Sequence, residues 1–273
     1  YGATQSNHAM ETAAAGRRCG IKPILYLTAV VEPDDADVRA NLLLDKILDV
    51  ELHIVDILPG ETEDDAEARS FEMGAARAKE LNESGHPCYD IPMGGASIVG
   101  SVGFASGYVE FEKQVQAMNL KVDYIFHATG TGGTMAGLAA GRKMAQSDTK
   151  IISVTVSPKD EKYLCKVEKL ANDVLALVKS PEKVDRSEDL HMDTGYYAPG
   201  YEQPNEAASE AIRLLARTEG LFVDPVYTGK ALAGLIDYVR SGKVPQGSNV
   251  VFWHTGGATA LFAEREILGK LYC

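Results

Sequence analysis

Apolar and polar positions along this chain follow two spacings in turn. Short β-branched runs at residues 24–31, 51–57, 87–91, 124–128, 151–156, 221–223 and 249–253 predict strands. Between them the apolar positions recur at helical spacing over residues 7–19, 37–48, 64–84, 106–119, 134–144, 161–177, 205–217 and 228–241, with Gly or Pro at the joins. Alternating strands and helices predict an α/β fold whose mostly parallel sheets are covered by helices on both faces. Right-handed crossovers and ligand binding at the carboxyl ends of the strands follow from that arrangement. The texture changes at Pro92-Met93-Gly94-Gly95, after which a glycine-rich stretch leads into a second α/β series. Two lobes meeting at a cleft are therefore expected, a smaller one over residues 1–95 and a larger one over residues 96–273. One continuous doubly wound sheet is the alternative, and periodicity does not separate the two.

Composition narrows the class of partner. The 273 residues are 45% hydrophobic and 24% charged, as in ordinary globular chains. The 27 basic and 39 acidic residues leave a net charge of −12, which disfavours a nucleic-acid binder relying on a basic face. A small anion remains possible, because backbone N–H groups hold phosphate without lysine. The apolar runs are strand-length and far short of the ~20 residues of a membrane span, so no membrane partner is expected. Cys19, Cys88, Cys165 and Cys273 are widely spaced, with no zinc-ligand pattern; they predict reduced thiols, no metal and a cytoplasmic protein. The acidic run at residues 61–67 is read as a solvated helix start complementing the helix dipole.

Four turns at strand ends carry candidate chemistry. The first is His127-Ala128-Thr129-Gly130-Thr131-Gly132-Gly133-Thr134, which leaves an apolar strand and opens a helix. Its glycines permit close backbone approach, its threonines add donors, and the helix start supplies free N–H groups; these are the parts of a phosphate cradle. A tight turn with no ligand is the other reading. A dinucleotide fingerprint starting at Gly130 fails at Met135, and the Gly229-Lys230 pair continues with Ala231 where a P-loop needs Ser or Thr. A cofactor with a single small phosphate fits better.

The second turn, Gln5-Ser6-Asn7-His8, precedes an alanine-rich helix; Ser6 or Asn7 suits an N-cap, and the cluster equally suits carboxylate binding. The third comprises Asp224 to Lys230 with the upstream tyrosines Tyr196, Tyr197 and Tyr201, which read either as packing residues or as acids and bases. The fourth is His254-Thr255-Gly256-Gly257. Four such turns in one α/β chain suggest convergence on one cleft.

Taken together, Gln5 to His8, Thr131 to Thr134, Ala198-Pro199-Gly200-Tyr201, Asp224 to Lys230 and His254 to Gly257 resemble the D-cysteine desulfhydrase and 1-aminocyclopropane-1-carboxylate (ACC) deaminase family, in order and over essentially the whole chain. The resemblance implies a pyridoxal 5'-phosphate enzyme of the tryptophan-synthase-β-like fold (fold type II), active as a homodimer on a small amino acid. It assigns Gly130, Thr131, Gly132, Gly133 and Thr134 to the cofactor phosphate and Asn7 to the ring hydroxyl. Ser6 is placed beside the substrate α-carbon or carboxylate, with Gln5 and His8 in the same loop. Tyr201 and Tyr227 face the substrate.

Within the family, ACC deaminases carry a glutamate after the Val-Tyr pair; here that position is Thr228. A hydroxyl leaves the ring nitrogen neutral or weakly hydrogen-bonded, which suits β-elimination of sulfide from D-cysteine to give pyruvate and ammonia. ACC deaminase, L-cysteate sulfo-lyase and a non-catalytic pyridoxal-phosphate-binding protein are the alternatives. The family's covalent lysine follows an asparagine upstream of the Gln-Ser-Asn-His turn. None of the seven asparagines here precedes a lysine, so that residue is expected before Tyr1, with Lys230 structural.

Overall fold

The computed structural model describes residues 1–30, 38–203 and 205–263. Val31, Asp37 and Cys273, which enter the sequence reading, lie outside the described residues. The chain divides into two compact units, Tyr1–Gly95 and Ala96–Cys273.

In the first unit, β1 (Gly2–Ala3), β2 (Ile24–Thr28) and β3 (Glu51–Val55) form a parallel sheet in that order. The helices are α1 (Asn7–Arg18), α2 (Ala40–Ile47) and α3 (Glu63–Glu83). Ala9 and Ala13 of α1, Leu25 and Leu27 of β2 and Leu42 of α2 make one buried cluster. The alanines pack α1 on β2, and the turn at residues 5–8 leads from β1 into α1. The acidic run does open a helix. Glu63, Asp64 and Asp65 occupy the first turn of α3, and Thr62 and Asp65 close a reciprocal capping box.

The second unit holds β4 (Tyr124–Thr129), β5 (Lys150–Thr155), β6 (His191–Asp193) and β7 (Val250–Phe252), parallel throughout, in the order β6-β5-β4-β7. Its helices are α4 (Ile98–Ala117), α5 (Gly133–Met144), α6 (Glu161–Leu177), α7 (Arg186–Asp189), α8 (Glu206–Glu219) and α9 (Thr228–Arg240). Successive β4 side chains serve opposite faces. Ile125 packs with Tyr108 of α4 and Leu138 of α5, while Phe126 packs with Ala231 of α9. Gly137 is required where α4 meets α5, because a Cβ there would collide with the Ser101 carbonyl and lie 2.6 Å from Phe104 Cβ.

The α/β class with parallel, helix-flanked sheets is as expected, and the differences are local. Residues 87–91 and 221–223 are not strands. Pro87 has no N–H, and the next one, of Cys88, goes to Asn82 Oδ1; the Phe222 carbonyl accepts from His254 Nε2 and the Asp224 N–H donates to Thr228 Oγ1. Strands β1 and β6 escape the sequence pattern because each is too short to show an alternation. Helix α4 starts at Ile98 rather than Ser106, with Ser97 Oγ accepting from the Gly100 N–H; Gly100 and Gly103 hide its first turns. No helix of the described residues is long and apolar enough to cross a membrane.

Candidate functional site

In the second unit the glycine turn leaves β4 and enters α5, as the cradle reading requires. Gly132 has φ +98°, a conformation that a side chain strains, and a Cβ there would lie 2.8 Å from Val167 Cγ2. A Cβ on Gly133 would lie 3.2 Å from Ala96 Cα and 3.7 Å from Ser101 Oγ. Among the described residues, Ser101 Oγ is itself buried with no hydrogen-bond partner. An orphaned hydroxyl beside a bare backbone turn, at a helix start whose first N–H groups have no intrahelical acceptor, fits a small phosphate. Ser101 was missed in the sequence, lying in the glycine-rich stretch read as a connection.

Upstream of the cradle, His127 is a core residue. It is fully buried, with Nδ1–H donating to the Ala128 carbonyl at 2.8 Å and Nε2 accepting from Ser153 Oγ at 2.7 Å. Burial pulls its pKa down to about 4, so it is neutral at pH 7. Thr129 Oγ1 is paired with Tyr163 Oη at 2.8 Å.

Tyr227 comes to the cradle from the start of α9: its Cε1 lies 3.4 Å from where a Gly130 Cβ would stand. Its hydroxyl shares a 2.5 Å hydrogen bond with that of Tyr201, the rings crossing at 80°. Burial raises both phenol pKa values, so both keep their protons at neutral pH. Cradle, Tyr227 and Tyr201 are thus contiguous within one unit.

Thr228 is wholly enclosed. Its Oγ1–H donates to Asp224 Oδ1 at 2.6 Å, and Oγ1 accepts from the Asp224 N–H at 2.9 Å. The same carboxylate accepts from the N–H groups of Val226, Tyr227 and Thr228 at 2.7–2.9 Å, capping α9. Burial pushes the Asp224 carboxyl up, against the pull of these donors. Lys230 is also fully buried, its Nζ donating to the carbonyls of Gly200 at 2.7 Å and Tyr197 at 3.2 Å. It ties the loop that carries Tyr201 to α9.

In the first unit, Ser6 caps α1, its Oγ accepting from the Ala9 N–H at 3.1 Å. That bond leaves the hydroxyl proton free, so capping and binding are compatible here. Gly2 is needed for this turn, since a Cβ on it would lie 2.5 Å from Ser6 Oγ. Gln5 commits both ends of its amide to α2: Oε1 accepts from the Asn41 N–H at 3.0 Å, and Nε2 donates to the Arg39 carbonyl at 3.3 Å. Asn7 Oδ1 accepts from Asn41 Nδ2 at 2.6 Å. His8 packs on Gly95 and lines a cavity of about 460 Å³ with Thr12, Tyr26 and Tyr1; burial holds its pKa at about 4. Asn41 was not found in the sequence, where an asparagine in a first turn passes for a cap.

The model of pyridoxal-phosphate dependent enzymes matches residues 1–256. The chain belongs to this family. D-cysteine desulfhydrase of Salmonella paratyphi A is 34% identical over 265 residues, spanning 96% of this chain and 76% of the relative. A crystal structure of an ACC deaminase homologue superposes with a TM-score of 0.79 at 30% identity, covering 97% of this chain and 75% of that one. Escherichia coli diaminopropionate ammonia lyase shares the fold, with a TM-score of 0.61 at 14% identity over 98% of this chain and 68% of its own. The expected family, fold class and pyridoxal phosphate cofactor therefore stand.

Proposed function

We propose that this enzyme eliminates sulfide from D-cysteine, converting D-cysteine and water to pyruvate, ammonia and hydrogen sulfide. The observation that carries this reading is Thr228. The position after Tyr227 holds a hydroxyl engaged by Asp224, with no carboxylic acid to keep a ring nitrogen protonated. The similarity to D-cysteine desulfhydrase supports the same substrate.

In this reading the N–H groups of Gly132 to Thr134 and the Ser101 hydroxyl bind the cofactor phosphate, with Gly130 and Thr131 completing the loop. Asn7 hydrogen-bonds the ring hydroxyl oxygen, and Ser6, with Gln5 and His8 in the same loop, orients the substrate carboxylate. Bound pyridoxal phosphate supplies an electron-withdrawing ring that acidifies the substrate α-carbon. The Tyr201–Tyr227 pair, held protonated by burial, delivers a proton to the departing sulfur. The protein acts in the cytoplasm as a homodimer.

Product assays on the loaded enzyme with D-cysteine, L-cysteate and ACC test the reading. Sulfide and pyruvate from D-cysteine are expected; α-ketobutyrate from ACC would overturn the argument from Thr228, and sulfite from L-cysteate would move the enzyme to the sulfo-lyase reaction.

A further inference from the structure

Asn41, the second residue of α2, is fully buried and joins the starts of two helices. Its Nδ2 donates to the Gln5 carbonyl at 2.8 Å and to Asn7 Oδ1 at 2.6 Å, while its N–H donates to Gln5 Oε1. A backbone carbonyl can only accept, so the Gln5 carbonyl fixes which end of the Asn41 amide faces the turn. That end is the NH2 group. The atom that Asn7 turns toward it must then be the oxygen, which leaves the Asn7 NH2 as the outer end of its amide. Among the described residues Asn7 Nδ2 has no hydrogen-bond partner.

We propose that Asn41 is a positioning residue for the cofactor: it locks the Asn7 amide with its oxygen inward, so that Asn7 offers a donor, and only a donor, to the ring oxygen. The inference rests on the reading that Asn7 meets the ring hydroxyl. The ionised ring oxygen can only accept and is met by an NH2 group, whereas the opposite amide orientation would set two acceptors face to face. The polarity is set one residue further back, by a main-chain carbonyl that no side-chain substitution reverses.

The test compares the affinities of the full chain for pyridoxal 5'-phosphate and 3-deoxypyridoxal 5'-phosphate, which lacks the ring oxygen, by equilibrium dialysis. Asn41→Asp replaces the inward donor by an acceptor, so Asn7 must reverse to satisfy it. Its affinity for pyridoxal 5'-phosphate is expected to fall about tenfold or more, the scale of a hydrogen bond to an ionised group, with the 3-deoxy compound little affected. Asn41→Ser, a milder change should the aspartate variant not fold, has one hydroxyl proton for two acceptors and is expected to show a smaller loss with the same ligand dependence. In an Asn7→Ala background neither substitution should cost further affinity. Equal losses for both ligands, or losses that add to that of Asn7→Ala, would overturn the proposal. Unchanged affinity for pyridoxal 5'-phosphate in Asn7→Ala itself would instead overturn the reading of Asn7.

Discussion

Thr228 and Asp224 exchange two hydrogen bonds, the threonine hydroxyl donating to the carboxylate while accepting from the aspartate's own N–H. The pair closes the first turn of α9 and fixes where Tyr227, between them in sequence, enters its contact with Gly130.

Thr228→Val keeps the shape and deletes both bonds, stranding the buried Asp224 N–H. A loss of about 1–3 kcal/mol is expected in urea unfolding at pH 7, the cost of an unsatisfied buried group. No loss would mean that the buried Asp224 N–H finds another acceptor.

Lys230→Met preserves the aliphatic stem and removes the ties to the Tyr197 and Gly200 carbonyls. The Tyr201 loop should become more protease-sensitive, and stability should fall by about 1–3 kcal/mol. Reduction of the cofactor-loaded protein with borohydride, followed by peptide mapping, is expected to leave Lys230 unlabelled; a label there would show that it holds the cofactor covalently.

Asp45 of α2 is buried, neither carboxylate oxygen has a hydrogen-bond partner among the described residues, and burial pushes its pKa up to about 7. The folded protein therefore keeps a proton on Asp45 that the unfolded chain releases near pH 4. Stability from this group is intact below pH 4 and is lost as pH rises toward 7, by on the order of 2–4 kcal/mol. Asp45→Asn should abolish that part of the slope, read as the difference in urea midpoint between pH 5 and pH 8.

Ala40 begins α2 with φ +51°, a left-handed conformation that its Cβ opposes. Ala40→Gly is expected to stabilise the protein by about 1 kcal/mol, visible as a Tm increase of a few degrees. A decrease would show that the turn leading to Asn41 tolerates a side chain without strain.

The sequence revealed what repeats or clusters. Helices α1, α5, α6 and α9 were placed to within two residues because their apolar spacing and caps are local signals. The cradle was visible for the same reason: four glycines and three threonines lie within nine residues, from Thr129 to Gly137. Contacts distant in sequence were not visible. The Asn41 to Asn7 bond spans 34 positions and the Thr129 to Tyr163 bond another 34, and neither residue of either pair is unusual for its own element. Residues 221–223 look like a strand because burying Val223 needs apolar character, yet in the fold the Phe222 carbonyl accepts from the His254 side chain rather than from a neighbouring strand.

Strand β4 lies inside its sheet, between β5 and β7, and its exit is bonded on both sides: the Phe126 carbonyl accepts from the Trp253 N–H, and the Thr129 carbonyl from the Val156 N–H. The glycine turn that follows is flexible in composition but grows from an interior strand bonded on both sides. Its conformational entropy is largely surrendered on folding, before any ligand arrives, so binding a phosphate there costs little further ordering. The amides of β4 should accordingly be among the last in the unit to exchange with deuterium, with protection that continues into the first turn of α5.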